Sequence, residues 1–281
     1  MTVLEAIQKS TDFLTKKGVE SPRLQTELLL AHQLKMPRMK LYLNFDRVLT
    51  TPETDGLREL IKRRATREPL QHITGTSSFC GHEIAVNRHA LIPRPETELL
   101  AELGWKFLLE RHAPNALDFG TGTGCIAIAI TAKCPTAKVT ALDISTEALR
   151  LAKQNAEQNT VAERIHFLPS DGFAALTRSN QFDLVISNPP YIATPEIATL
   201  EPEVKDFDPR GALDGGADGL DFYRRLAAET RPFLKADGKI IVEFGDGQAE
   251  EIKTIFETAK WIVEAVHQDY SQRARMLTAR F

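Results

Sequence analysis

From residue 116 to the end of the chain, strand and helix patterns alternate. Short apolar, β-branched runs lie at 116–119, 138–142, 165–168, 182–186 and 239–244. Helical patterns follow at about 125–133, 146–159, 220–232 and 248–258. A parallel neighbour can be reached only by a crossover, and a helix is the usual one, so this alternation predicts an α/β fold with a doubly wound, mainly parallel sheet. Two further runs, 261–267 and 274–281, are joined by a polar turn and predict an antiparallel edge, for seven strands in all. In such sheets ligands bind beyond the carboxyl ends of the strands.

Residues 1–70 have no strand signal. Val3, Leu4, Ile7 and Leu14 sit at helical spacing, and Gly18 suits a C-terminal cap. Ser21-Pro22 and Thr51-Pro52 each read as a cap followed by a first-turn proline. Leu24, Leu28 and Leu29 are expected to form one buried face, and Leu57, Leu60 and Ile61 another. Arg58, Lys62, Arg63, Arg64 and Arg67 lie mostly off that second stripe, as a docking face or a solvated one. Three regions follow: a small all-helical domain over 1–70, a hairpin connector over 71–92, and an α/β domain over 93–281.

Charge narrows the partners. The net charge is −3. Residues 1–75 hold 13 Lys and Arg against 9 Asp and Glu, whereas the remainder is acidic. An acidic body is a poor candidate for gripping nucleic acid through its phosphates, so no direct nucleic-acid binding is expected. No stretch approaches the roughly 20 apolar residues of a membrane span, and the first residues do not read as a secretory signal. Three cysteines without a CxxC pair indicate neither a disulfide framework nor a zinc site, and a reducing cytoplasm fits them best.

Between the first strand and its helix stands Asp118-Phe-Gly120-Thr121-Gly122-Thr123-Gly124. Cys125 occupies the place of the third glycine of a dinucleotide fingerprint, and no Gly-Lys-Ser/Thr closes a phosphate loop. The spacing resembles the cofactor loop of Rossmann-like S-adenosyl-L-methionine (SAM) methyltransferases. That likeness places the amino-acid end of SAM over the loop. Asp143, at the end of the next strand, can accept both ribose hydroxyls, or cap the following helix. Asp171-Gly172-Phe173 follows the third strand, where such enzymes meet the adenine through a carboxylate or an apolar wall.

Asn188-Pro189-Pro190-Tyr191 ends the fourth strand. Two prolines fix φ and stiffen the backbone, while their carbonyls stay free as acceptors. The Asn188 side-chain oxygen and the Pro189 carbonyl can each accept one N–H of a planar amino group, and Tyr191 can pack on its face. Such positioning suits methylation of a nitrogen whose lone pair is delocalised. The motif alone does not distinguish glutamine amides from the exocyclic amines of adenine or guanine.

Taken together, Gln71-His-Ile-Thr-Gly75, Leu91-Ile-Pro-Arg-Pro-Glu-Thr-Glu98, the glycine loop, Asp143-Ile-Ser145, residues 187–191 and Gly215-Gly-Ala-Asp-Gly-Leu-Asp221 resemble the release factor glutamine methyltransferases, the PrmC/HemK family. The resemblance spans nearly the whole chain. It implies N5-methylation of the glutamine in the Gly-Gly-Gln motif of class 1 peptide chain release factors, with effect on translation termination. It implies further that the residues from Gly120 to Gly124 and Asp143 hold SAM while those from Asn188 to Tyr191 hold the glutamine. Relatives often carry Trp after the aspartate that follows the third strand, where this chain has Gly172-Phe173. A sibling family that methylates a ribosomal protein usually reads Pro-Arg-Ser-Pro where this chain reads Pro93-Arg-Pro-Glu-Thr-Glu98. In that segment Arg94, Glu96 or Thr97 can touch the cofactor, or Thr97 and Glu98 simply cap the helix. The alternatives are a nucleic acid amino-group methyltransferase and the ribosomal protein enzyme.

Overall fold

A computed structural model describes all 281 residues. The chain divides into two units. One is Met1–Thr76 together with Glu201–Phe207; the other is Ser77–Leu200 with Asp208–Phe281.

The first unit contains α1 (Val3–Lys16), α2 (Pro22–Gln33), α3 (Arg38–Tyr42), α4 (Thr51–Ala65) and α5 (Leu70–Thr74). Capping boxes start α1, from Thr2 to Glu5, and α4, from Thr50 to Glu53. The α4 cap is thus Thr50 and not Thr51, with Pro52 in the first turn. Ser21 precedes α2 as expected, but its side chain makes no capping bond. The buried face of α2 is rotated from the expected one: Leu24 is 42% exposed, whereas Thr26, Glu27, Leu29 and Leu30 are buried. Glu27 is tolerated inside because Arg23, Arg38 and the Tyr42 hydroxyl donate to it.

Residues 70–74 form a helix, so the hairpin expected over 71–92 is confined to β1 (Thr76–Phe79) and β2 (His82–Ala85), which pair as a two-stranded sheet. Late in the sequence, α9 (Pro202–Lys205) lies within the segment that joins the N-terminal unit. There Arg64, only 2% exposed, donates to Gln25, to the Glu68 carbonyl at 3.2 Å and to Glu203 at 2.6 Å. Arg67 donates to Glu203 at 2.6 Å and Glu201 at 2.8 Å. Arg64 is therefore an interior residue and not part of a solvated or docking face. A helical stripe cannot reveal that, because the partner lies 139 residues away.

The second unit contains α6 (Thr97–Leu109) and then the sheet. Its strands are β3 (Asn115–Phe119), β4 (Lys138–Asp143), β5 (Ile165–Pro169), β6 (Phe182–Ser187), β7 (Leu234–Glu243), β8 (Ile262–Gln268) and β9 (Ala274–Arg280). Their order is β5-β4-β3-β6-β7-β9-β8. The first five run parallel to one another, and β9 runs antiparallel to both β7 and β8. The crossover helices are α7 (Cys125–Lys133), α8 (Thr146–Gln158), α10 (Asp221–Glu229) and α11 (Ala249–Thr258). Every residue of β6 is buried, as expected for a strand covered on both faces. The chain moves outward from β3 to β5, then returns to lay β6 on the other side of β3. The β3/β6 boundary is the switch point at which doubly wound sheets bind ligands.

Candidate active site

A cavity of about 300 Å³ opens at this switch point. That is within the range of pockets that hold small molecules. Its floor is the loop after β3. Gly120, Gly122 and Gly124 all have positive φ, and a Cβ on Gly120 would meet nothing, so the backbone there is bare toward the cavity. Asp118 lies beneath this loop, fully buried, and does not line the cavity. Its carboxylate accepts from the Thr121 hydroxyl at 2.6 Å and from the Ala127 N–H at 3.2 Å, tying the loop to the first turn of α7. Burial pushes the Asp118 carboxyl up to about 7, against the hydrogen bonds from Thr121 and Ala127. Thr121 and Thr123 line the cavity, whereas Gly124 turns away, backed by Ala152.

Asp143 ends β4 at the cavity wall. One carboxylate oxygen accepts from Gly122 N–H and the other from Ser145 N–H, each at 2.9 Å. Burial raises its pKa, and those backbone bonds oppose the rise. Each oxygen keeps acceptor capacity, since a carboxylate offers about four lone-pair sites. The cap of α8 is instead Ser145, whose hydroxyl accepts from Ala148 N–H.

After β5, Asp171 and Gly172 line the cavity. The Asp171 carboxylate is held by Arg225 at 2.7 Å, and Arg225 also donates to the Asp171 carbonyl at 3.1 Å. Phe173 is 4% exposed and points into the core, with its ring 5.0 Å from Phe119 and 5.2 Å from Phe233. It is not among the lining residues; Ile144 and Phe222 supply apolar wall there instead. Ile144 is 73% exposed, an apolar side chain left open beside Asp143. Its position directly after the strand-ending acid is the signal that could have found it; Phe222 and Arg225 carry none in the local pattern.

Asn188, Pro189 and Pro190 line the opposite wall after β6. Asn188 Nδ2 donates to Thr97 Oγ1 at 3.0 Å. Tyr191 lies behind the loop, outside the cavity lining, and burial raises its phenol pKa. Its carbonyl accepts from Gln248 at 2.9 Å. The glycine-rich motif at 215–219 forms the cradle of this loop. Gly215 N–H donates to the Ile192 carbonyl at 2.8 Å, and a Cβ on Gly219 would stand 2.4 Å from the Tyr191 carbonyl oxygen. Of the segment before α6, Arg94 and Thr97 line the cavity and Glu96 does not. Arg94 is paired with buried Asp208 at 2.6 Å, and Glu98 accepts from Cys80 N–H rather than capping its own helix.

A doubly wound sheet in this strand order, with an acid-backed glycine loop and an Asn-Pro-Pro-Tyr loop facing each other across the switch point, defines a Rossmann-like methyltransferase. The PrmC N-terminal domain family matches residues 5–75, and the methyltransferase small domain family matches residues 97–200. The chain is 42% identical over 255 residues to the release factor glutamine methyltransferase of Geobacter sulfurreducens, covering 91% of this chain and 88% of that one. It is 43% identical over 263 residues to that of Rhodospirillum rubrum, covering 94% and 80%. A methyltransferase structure from Pyrococcus furiosus shares the fold at a TM-score of 0.51 and 19% identity, covering 71% of this chain and 88% of that one. The chain belongs to the release factor glutamine methyltransferase family.

Proposed function

We propose that the chain transfers the methyl group of SAM to the side-chain nitrogen N5 of the glutamine in the Gly-Gly-Gln motif of class 1 peptide chain release factors. The observation that carries this reading is one cavity walled on one side by Asp143 and the glycine loop and on the other by Asn188 and Pro189. The residues fit the cofactor: a bare backbone floor, a carboxylate with spare acceptor capacity, and the open Ile144. Gly120 to Gly124 and Asp143 would hold it, with Asp171, Gly172, Ile144 and Phe222 at its adenine end. When bound, SAM supplies an electrophilic methyl group on a sulfonium. Asn188 Oδ1 and the Pro189 carbonyl accept the two amide hydrogens, which fixes the nitrogen in place. The nitrogen gives up one proton as it is methylated, and water can take it. Incubation with methyl-labelled SAM and intact release factor should place the label on that glutamine, and a Gln→Ala release factor should take none. Label entering only DNA or a ribosomal protein would overturn the reading.

The N-terminal unit, under the same proposal, docks the body of the release factor. One glutamine offers little surface, whereas specific protein interfaces bury about 1,200–2,000 Å². Arg58, Lys62 and Arg63 are each paired with a neighbouring carboxylate, so the apolar part of the surface is the better candidate. Met39, Leu43 and Val48 are 66%, 85% and 66% exposed. Leu43→Asp should raise KM for intact release factor about tenfold with SAM affinity unaltered, as a centrally placed contact would. An unchanged KM would exclude this face. The whole chain serves better here than deletion of residues 1–70, which removes α4 and with it Arg64, the partner of Glu203.

A further inference from the structure

At the end of β7 stands a carboxyl that the strand pattern gives no reason for. Glu243 lies between Val242 and Phe244 and is 4% exposed. Its Oε2 has no hydrogen-bond partner. The cation that acts on it, Arg275, is itself paired with Asp269. The Thr97 and Asn188 side chains are the polar neighbours that favour its charged form, and Asn188 Nδ2 donates to Thr97 Oγ1 at 3.0 Å, which leaves the Thr97 hydroxyl proton free for an acceptor. Thr97 is 3% exposed, so water does not replace these partners freely.

The chemistry of the three groups gives this cluster a direction. An ionised carboxylate only accepts. Thr97 has one hydroxyl proton; once it is given to Glu243, the Thr97 oxygen accepts from Asn188. The Asn188 amide then turns its NH2 inward and leaves Oδ1 for the cavity. We propose that Glu243, acting through Thr97, is the positioning residue that fixes the sense of the Asn188 amide, so that an acceptor and not a donor meets the nitrogen to be methylated. This rests on the reading of Asn188 as the acceptor for that nitrogen.

Protonated Glu243 reverses the direction. It has a proton to give, Thr97 can donate onward to Asn188 Oδ1, and the amide then presents NH2 to another N–H donor. Burial pushes the Glu243 carboxyl up to about 7; the Thr97 hydrogen bond opposes this, Glu96 adds to it, and Arg275 and the Asn188 hydrogen bond oppose it. Tyr191 and Tyr223 also feel Glu243, and burial raises both phenols above their ordinary value, so neither titrates in this range. The productive direction is therefore gained as pH rises through about 7.

The experiment compares wild type, Thr97→Val, Thr97→Ser and Glu243→Gln in full-length protein, with kcat and KM for release factor measured from about pH 5.5 to about pH 8.5. SAM affinity by calorimetry reports folding and the integrity of the cofactor side. Thr97→Val should lose about tenfold or more in kcat with SAM affinity held within about threefold, and Thr97→Ser should recover most of the loss. Glu243→Gln should lower kcat at high pH and abolish its rise near neutrality. Equal kcat in Thr97→Val and wild type, or an unchanged pH profile in Glu243→Gln, would overturn the proposal. Should wild type methylate another planar amine and not release factor, the substrate reading fails alone, and the same ratios on that acceptor decide the relay.

Discussion

Glu203 in the N-terminal unit and Glu243 at the end of β7 are both inward-facing carboxylates, and their surroundings are opposite. Burial pushes Glu203 up, yet the hydrogen bonds from Arg67 and Arg64 outweigh it, and its pKa falls below the ordinary value. Glu243 has no paired cation, and burial prevails. A charge removed from water is tolerated when a guanidinium compensates it, and a pair of that kind holds a structure in one arrangement. A carboxyl left without compensation lowers stability, and it persists where its titration or its hydrogen bonds serve the site. The contrast separates a residue that fixes the shape of a domain from one that serves the cavity.

The largest way to break the comparison is Arg64→Ala. It leaves Glu203 facing inward with one guanidinium, and Gln25 and the Glu68 carbonyl without their donor. Removing one partner of a buried pair costs about 3–5 kcal/mol. Urea unfolding should show this loss, and Arg64→Lys should recover little, because an ammonium cannot span the same three acceptors. A loss under about 1 kcal/mol would mean that the pair does not hold the unit together.

Glu243→Gln should act with the opposite sign on stability. The folded pKa, about 7, lies above the ordinary 4.5. The native state therefore binds the proton more tightly, and wild type loses stability as pH rises from about 4.5 through about 7. Glutamine does not titrate. The variant should match wild type near the lower pH and exceed it by roughly 1–3 kcal/mol above the upper one, since each unit is worth about 1.4 kcal/mol. Thermal unfolding across that range checks the slope, and a difference that stays constant with pH would place the Glu243 pKa near its ordinary value.

The same two carboxylates show what was legible in the sequence. All seven strands are readable because apolar runs and crossover helices repeat along the chain, and the glycine and Asn-Pro-Pro-Tyr loops announce themselves by residue types a plain turn does not require. Glu203 was not legible: its partners lie across more than a hundred residues, and nothing local marks Glu201–Phe207 as belonging with the N-terminal helices. Glu243 had a local signal, a single acid inside the otherwise apolar run Ile240-Ile-Val-Glu-Phe244. Period-two reasoning assigns such a residue a face and says nothing of its partners. Thr97 reads from sequence either as a cofactor contact or as a helix cap; in the structure its hydroxyl oxygen accepts from Asn188. Phe173 followed the expected strand, but its ring stacks in the core, and Ile144 and Phe222 take the wall.

The smallest expected effect comes from the same helix as Arg64. Lys62 stands two residues earlier on α4 and pairs with Glu59 at 2.7 Å, close to the 2.6 Å of Arg64 with Glu203. Its side chain is 60% exposed and that of Glu59 is 67% exposed. Water therefore solvates both charges in the unpaired state almost as well, and ordering two long side chains costs entropy that offsets the attraction. Exposed pairs of this kind contribute about 0–1 kcal/mol, and alanine is itself a slightly better helix former than lysine. Lys62→Ala should thus change stability by no more than about 0.5 kcal/mol, and salt should shrink the difference further. If Lys62→Ala costs as much as Arg64→Ala under the same conditions, the helix and not the burial of the guanidinium sets the cost, and the contrast between Glu203 and Glu243 loses its physical basis.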